Sequence, residues 1–148
     1  MKSFLAEPFA SLWAQQDIFA AAEALQGEVY RELEGRRTLR TEVNGSGYFV
    51  KIHRGVGWGE IFKNLFSAKL PVLGARNEWQ AIQRLKQVGV DTMTAVAFAE
   101  RGSNPAKQHS FIITEELAPT ISLEDYCMDW PQNPPAPAIK HALIERVG

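Results

Sequence analysis

Cysteine occurs once, at Cys127, histidine only three times, and no stretch approaches the roughly 20 consecutive apolar residues of a membrane-spanning helix. A single cysteine excludes an internal disulfide, and with three scattered histidines it leaves no metal-site spacing. Cys127 reads as a small packing residue, not a nucleophile. The opening Met1-Lys2-Ser3-Phe4 runs into Glu7-Pro8 without an apolar signal core, so the chain is expected to stay in the cytoplasm. What is present is the profile of a soluble globular domain: 148 residues, 45% hydrophobic and 22% charged, enough for one core.

The net charge of −1 conceals an uneven distribution. From Arg31 to Lys86 there are eleven Lys or Arg against five Glu, whereas Asp91 to Trp130 holds seven acids against two bases. The first part suits an anionic partner such as a nucleotide phosphate, an anionic sugar or a membrane surface; a solvated basic face has the same composition. A nucleic-acid partner is not expected, because the basic residues are scattered without a recognition helix or paired aromatic motif.

The stretch that organises the chain is Gly47-Tyr48-Phe49-Val50-Lys51-Ile52-His53-Arg54. Its aromatic and β-branched residues favour a pleated, half-buried strand, and the preceding Asn44-Gly45 is the dipeptide of a type I′ hairpin turn. Lys51 then shares a face with Phe49 and His53, while Val50 and Ile52 point the other way. A lysine set among apolar neighbours calls for an anionic partner. Ala75 to Val88 reads as a helix in which Glu78, Ile82 and Leu85 fall at i, i+4 and i+7, placing a carboxylate in an apolar stripe. A strand lysine paired to a helix glutamate is how protein kinases orient a lysine on nucleotide phosphates. A purely structural ion pair would have the same spacing.

Around this pair the remaining elements read as follows. Through residue 27 the chain is a leader whose short helix is capped by Asp17, carries Ile18, Ala21, Ala22 and Leu25 on one face, and is stopped by Gly27 as a left-handed residue. Two alternating segments, one with Val29 and Leu33, the other with Leu39, Thr41 and Val43, flank the turn Glu34-Gly35-Arg36-Arg37 and complete a three-strand meander ending at Lys51. Trp58, Ile61, Phe62, Leu65 and Phe66 repeat at helical spacing beside Lys63 and Lys69; such a basic aromatic helix packs on a domain or lies on a membrane or a partner. Thr94 to Ala99 and Ser110 to Thr114 form a second hairpin, giving five strands. Ser122-Leu123-Glu124-Asp125 opens a capped helix, Pro131 to Pro137 stiffens a linker, and Ala138 to Val147 begins another helix.

With these residues in view, the chain resembles the lipopolysaccharide core heptose kinases of Gram-negative bacteria. Glu28 to Arg40 looks like that family's opening strands, Tyr48-Phe49-Val50-Lys51 its lysine strand, Leu73 to Trp79 its glutamate helix, and Phe111 to Leu117 its inter-lobe segment. The resemblance implies an α+β fold: a protein-kinase-like N-terminal lobe with a five-stranded antiparallel sheet and a glutamate-bearing helix, then the start of a C-terminal lobe. Residues 1–27 would be the leader, 28–117 the lobe, and 118–148 the hinge, short helix, Pro-rich linker and first part of the second lobe.

It also implies ATP and Mg²⁺ as cofactors and the inner-core heptose of lipopolysaccharide as acceptor, with Kdo, or another sugar, as the alternative within the superfamily. A non-catalytic nucleotide or anion-binding module is the alternative outside it. Carried over by position, Lys51 would hold the phosphates and Glu78 would orient Lys51. Gly35, Arg36 and Arg37 would lie at the turn over the phosphates, Thr114 would back the adenine pocket, and the backbone of Glu115 to Leu117 would meet the adenine edge. At such a hinge the side chains of Glu115 and Glu116 would be replaceable. Phe49 departs from the small residue that protein kinases usually carry two before the lysine. No His-Arg-Asp run occurs, so the general base and metal ligands are expected beyond residue 148, in a longer polypeptide, and the lobe alone is expected to be inactive and poorly soluble. Acyl carrier protein and the cytoplasmic face of the inner membrane are the further partners the family implies.

Overall fold

The computed structural model describes residues 1–33, 35–55, 74–104, 107–117 and 119–147. They form β1 (Lys2–Leu5), α1 (Phe9–Leu12), α2 (Ile18–Ala24), β2 (Glu28–Leu33), β3 (Arg36–Val43), β4 (Ser46–His53), α3 (Arg76–Gln87), β5 (Ala95–Arg101), β6 (His109–Glu115), α4 (Leu123–Cys127) and α5 (Pro137–Val147). The stretch read as an aromatic helix, Trp58 to Phe66, lies outside the described residues. Two compact units divide the chain, residues 1–116 and 117–148.

In the first unit the six described strands make one antiparallel sheet in the order β1-β5-β6-β4-β3-β2. The β3–β4 turn is Asn44-Gly45 with φ of 53° and 78°, the positive angles that a type I′ turn requires. Against the expected five strands, six are present among the described residues. The added strand is β1, which pairs with β5 from Lys2 opposite Glu100 to Leu5 opposite Ala97. Four residues are too few to display a period of two, and the partner lies far along the chain, so no local pattern announces it.

Residues opposite one another across the ladders share a face, and the two faces are packed differently. On the first, Leu39, Val50, Ile52, Phe111 and Ile113 are buried under Phe9 and Trp13, from α1 and its C-terminal end, and under Phe19 and Ala22 of α2. Aromatic edge contacts join these layers: Phe9 to Tyr48 at 5.1 Å, Trp13 to Phe111 at 5.9 Å and Phe19 to Phe111 at 5.4 Å between centroids. Asp17 starts α2 by accepting from the Phe19 and Ala20 amides.

Gly27 does not take the left-handed conformation assigned to it. Its role is space: a Cβ there would lie 1.9 Å from the Arg40 carbonyl oxygen, so the chain can pass this close to β3 only without a side chain.

On the second face α3 covers only the β1, β5 and β6 half. Trp79 stacks on Phe98 at 5.2 Å and meets Phe4 at 4.8 Å, while Ala75 and Ile82 are buried against Ala95 and Ile112. The apolar stripe of α3 is therefore Ala75, Trp79 and Ile82, one position out of phase with the expected one; Leu85 is exposed. The β2, β3 and β4 half of this face carries Arg31, Thr38, Arg40, Phe49, Lys51 and His53.

The second unit holds two described helices. Ser122 caps α4 by accepting from the Asp125 amide, with Glu124 and Asp125 in the favourable first turn. Tyr126 meets Trp130 edge-on at 5.9 Å, and the Lys140 ammonium lies 5.8 Å from the Trp130 ring centre.

Candidate functional site

Lys51 stands in the middle of β4, between Thr38 of β3 and Ile112 of β6. Its Nζ donates to Glu78 Oε1 at 2.6 Å, across from strand to helix. The side chains of Lys51 and Glu78 are 37% and 29% exposed. An ion pair this open to water contributes only about 0–1 kcal/mol to stability, so folding alone gives little reason for it. An ammonium has three donors, and one bond to Glu78 leaves two for an anionic oxygen.

Glu78 is placed by a set of contacts that sequence reasoning did not find. The Ala75 amide, at the start of α3, donates to Ser110 Oγ at 3.0 Å, and Ser110 is 1% exposed. Arg76 makes a two-pronged ion pair with Glu100, a buried carboxylate at the end of the apolar strand β5. The guanidinium beside Glu100 holds that carboxyl below the ordinary range. A charge closing a run of Ala, Val and Phe in β5, and an arginine two residues before Glu78, were the available signals.

A cavity of about 230 Å³ opens beside the pair, lined among others by Arg31, Arg36, Thr38, His53 and Asn77. Arg31 was not anticipated. A bulge between Val29 and Arg31 shifts the parity of β2, so Val29 faces Leu39 on the core side while Arg31 and Leu33 sit on the Lys51 side. Strict alternation would have kept Val29, Arg31 and Leu33 together. Burial, reinforced by the charge of Arg36, pushes His53 below the usual histidine range and so favours its neutral form beside Lys51.

The other candidate residues are distributed around this centre. Gly35, with φ of 79°, forms the β2–β3 turn, and its carbonyl accepts from the Arg54 amide at 2.7 Å. Arg36 is opposite His53, on the face of Lys51. Arg37 also lines the cavity, but its guanidinium is turned to the other face, where it donates to the Glu23 carbonyl at 3.0 Å and pairs with Glu32 at 3.2 Å. Thr114 is buried on the Lys51 face, opposite Phe49, which meets Tyr30 at 5.7 Å. Glu115 ends β6, its amide donating to the Thr94 carbonyl, and Leu117 opens the second unit. The Glu116 side chain, expected to be replaceable, is engaged instead. It accepts two bonds from Arg40, each 2.7 Å, while its amide donates to the Gly47 carbonyl.

Among the described residues no group of three or more His, Cys, Asp or Glu could hold a metal ion. What they define is an antiparallel α+β domain whose half-covered sheet face carries a lysine–glutamate pair among arginines. A sequence model of the lipopolysaccharide kinase (Kdo/WaaP) family matches residues 20–148, and the chain belongs to that family. It is 69% identical over 99% of its length to the lipopolysaccharide core heptose(I) kinase WaaP of Pseudomonas aeruginosa, of which it covers 55%. The Escherichia coli protein of that name is 61% identical over 97% of the chain, with 54% of the relative covered. A solved structure, WaaP in complex with acyl carrier protein, superposes with a TM-score of 0.82 at 60% identity, over 98% of this chain and 53% of that one. The chain thus spans about half the length of the relatives it matches.

Proposed function

We propose that this chain is the nucleotide-binding lobe, protein-kinase-like in fold, of an ATP-dependent kinase that phosphorylates the inner-core heptose of lipopolysaccharide. The observation that carries the reading is the 2.6 Å contact of Lys51 with Glu78, reached from a central strand and a sheet-packed helix, in a chain of this family. The two free donors of Lys51 meet oxygens of the ATP phosphates, and Glu78 keeps the ammonium aimed. Arg31 and Arg36 add positive potential along the same cavity. Thr114 and the Glu115 carbonyl receive the base, under a roof where Phe49 takes the place of a small residue.

Mg²⁺ neutralises charge on the transferring phosphate in such reactions. The described residues do not provide its ligand set, and neither the metal nor the general base is placed on them. Acyl carrier protein is named with the solved relative; the excess of basic residues from Arg31 to Lys86 suits an acidic partner of that kind. We place the enzyme in the cytoplasm at the inner-membrane face. No helix among the described residues is long and apolar enough to cross a membrane.

The test is transfer of the γ-phosphate of ATP, with Mg²⁺, to lipopolysaccharide carrying an exposed inner core, with the phosphate located by mass spectrometry. Phosphate on heptose supports the reading, and phosphate on Kdo assigns the other sugar. Full polypeptide that transfers to neither refutes it.

A further inference from the structure

We propose that the Arg40–Glu116 bridge is a positioning device for the nucleobase, passing through a slot left open by Gly47; this rests on the nucleotide-binding reading. Arg40 lies on β3 and Glu116 just beyond β6, so the bridge spans β4, the strand between them. Gly47, Phe49 and Lys51 share one face of β4 by their spacing of two, and Arg40 is directly opposite Phe49 on that face. At Gly47 the row of side chains is interrupted. A Cβ there would sit 1.8 Å from Glu116 Oε2 and 3.2 Å from Arg40 Nη2, so the carboxylate occupies the space that any other residue would fill. Gly47 has no positive φ; it is glycine for space alone.

The bridge is bidentate, with both bonds at 2.7 Å, and the side chains are 34% and 23% exposed. Mutual attraction lowers the Glu116 carboxyl and raises the Arg40 guanidinium from their ordinary values, so both remain charged throughout the neutral range. Together with the Glu116 amide on the Gly47 carbonyl, and the Glu115 amide on Thr94, it fixes the chain leaving β6 from both sides. That exit is where backbone groups are proposed to meet the base. Tethering it to β3 and β4 locks the base-reading edge in register with Phe49 above the base and with Lys51, two residues further along the same strand. Arg40 and Glu116 are therefore positioning residues that touch neither phosphate nor reacting atom.

The experiment measures binding of Mg²⁺·ATP and Mg²⁺·GTP by calorimetry to the full polypeptide and to Arg40→Ala, Glu116→Gln, Gly47→Ala and the Arg40→Ala/Glu116→Gln double variant. We expect ATP affinity to fall about tenfold in Arg40→Ala and in Gly47→Ala, by less in Glu116→Gln, and no further in the double variant than in Arg40→Ala, because all act on one bridge. The ratio of ATP to GTP affinity should narrow as the base edge loosens, a change that a merely structural role would not produce. Gly47→Ala leaves both charges in place, and Glu116→Gln keeps a neutral acceptor for Arg40, so the set includes variants with little cost to folding. Wild type that binds ATP alongside folded variants with the same affinity and base preference would overturn the bridge's role and leave the nucleotide reading standing. Wild type that binds no ATP would overturn both.

Discussion

Ser110 is the residue on which the placement of Glu78 depends most, and Ser110→Ala isolates that dependence. Its hydroxyl is buried and accepts the Ala75 amide at 3.0 Å, while Ala75 itself is fully buried at the start of α3. Removing the oxygen leaves an amide N–H shielded from water without a partner, a cost of about 1–3 kcal/mol. With urea dependence of about 1–3 kcal/mol per molar, a loss near 2 kcal/mol lowers the unfolding midpoint by roughly 1 M. Glu78 lies within one turn of Ala75, so loosening that turn also weakens the aim of Lys51, and ATP affinity should fall with stability. Gly74→Ala provides the cross-check. A Cβ at Gly74 would stand 2.6 Å from Ser110 Oγ and 3.7 Å from Ser110 Cβ. The clash is with the hydroxyl alone, so Gly74→Ala should be costly in the native background and nearly neutral once Ser110→Ala is present. Urea unfolding followed by fluorescence, with ATP titration on the same samples, measures both. A midpoint within about 0.2 M of wild type and an unchanged ATP affinity for Ser110→Ala would refute the reasoning.

Phe111→Ala should destabilise by about 3–5 kcal/mol, since Phe111 is fully buried and joins Trp13 to Phe19 under the sheet; a loss under about 1 kcal/mol in denaturant unfolding would show that this layer is not the core. Stability should also fall in acid through Glu23. Its carboxyl is held below the ordinary range by two hydrogen bonds from Arg54, then by the charges of Arg54, His109 and Arg37, so its folded value is depressed. That contribution is complete above the unfolded glutamate value of about 4.3 and is lost as pH drops through the lower folded value. Arg54→Ala should therefore flatten the acid limb of a stability–pH profile, and an unchanged limb would contradict the assignment.

Much of the site was legible because it is written locally. Asn44-Gly45, the alternation around Lys51 and the capping residues Asp17 and Ser122 each act within a few positions of themselves. The pairing of Lys51 with Glu78 was accessible because each, taken alone, is a charge among apolar neighbours. What escaped depends on distant partners or on parity. β1 finds β5 across most of the sheet-forming unit, a single bulge in β2 sends Val29 and Arg31 to opposite faces, and Gly27 and Gly47 are small because other segments pass over them. The engagement of Glu116 escaped too, because nothing near it in sequence reveals an arginine 76 residues away. The phase of α3 failed for a related reason: Leu85 fits the stripe as well as Trp79 does, and only the position of Phe4 and Phe98 decides between them.

The measurement that bears most directly on the account is the rate of ATP-dependent phosphate transfer to lipopolysaccharide by the full polypeptide carrying Lys51→Met, with thermal unfolding recorded alongside. If Lys51 holds the phosphates under the aim of Glu78, transfer falls at least about 100-fold, while unfolding barely moves, because the pair is too exposed to contribute much stability. A folded Lys51→Met protein that transfers phosphate at the wild-type rate would contradict the central claim.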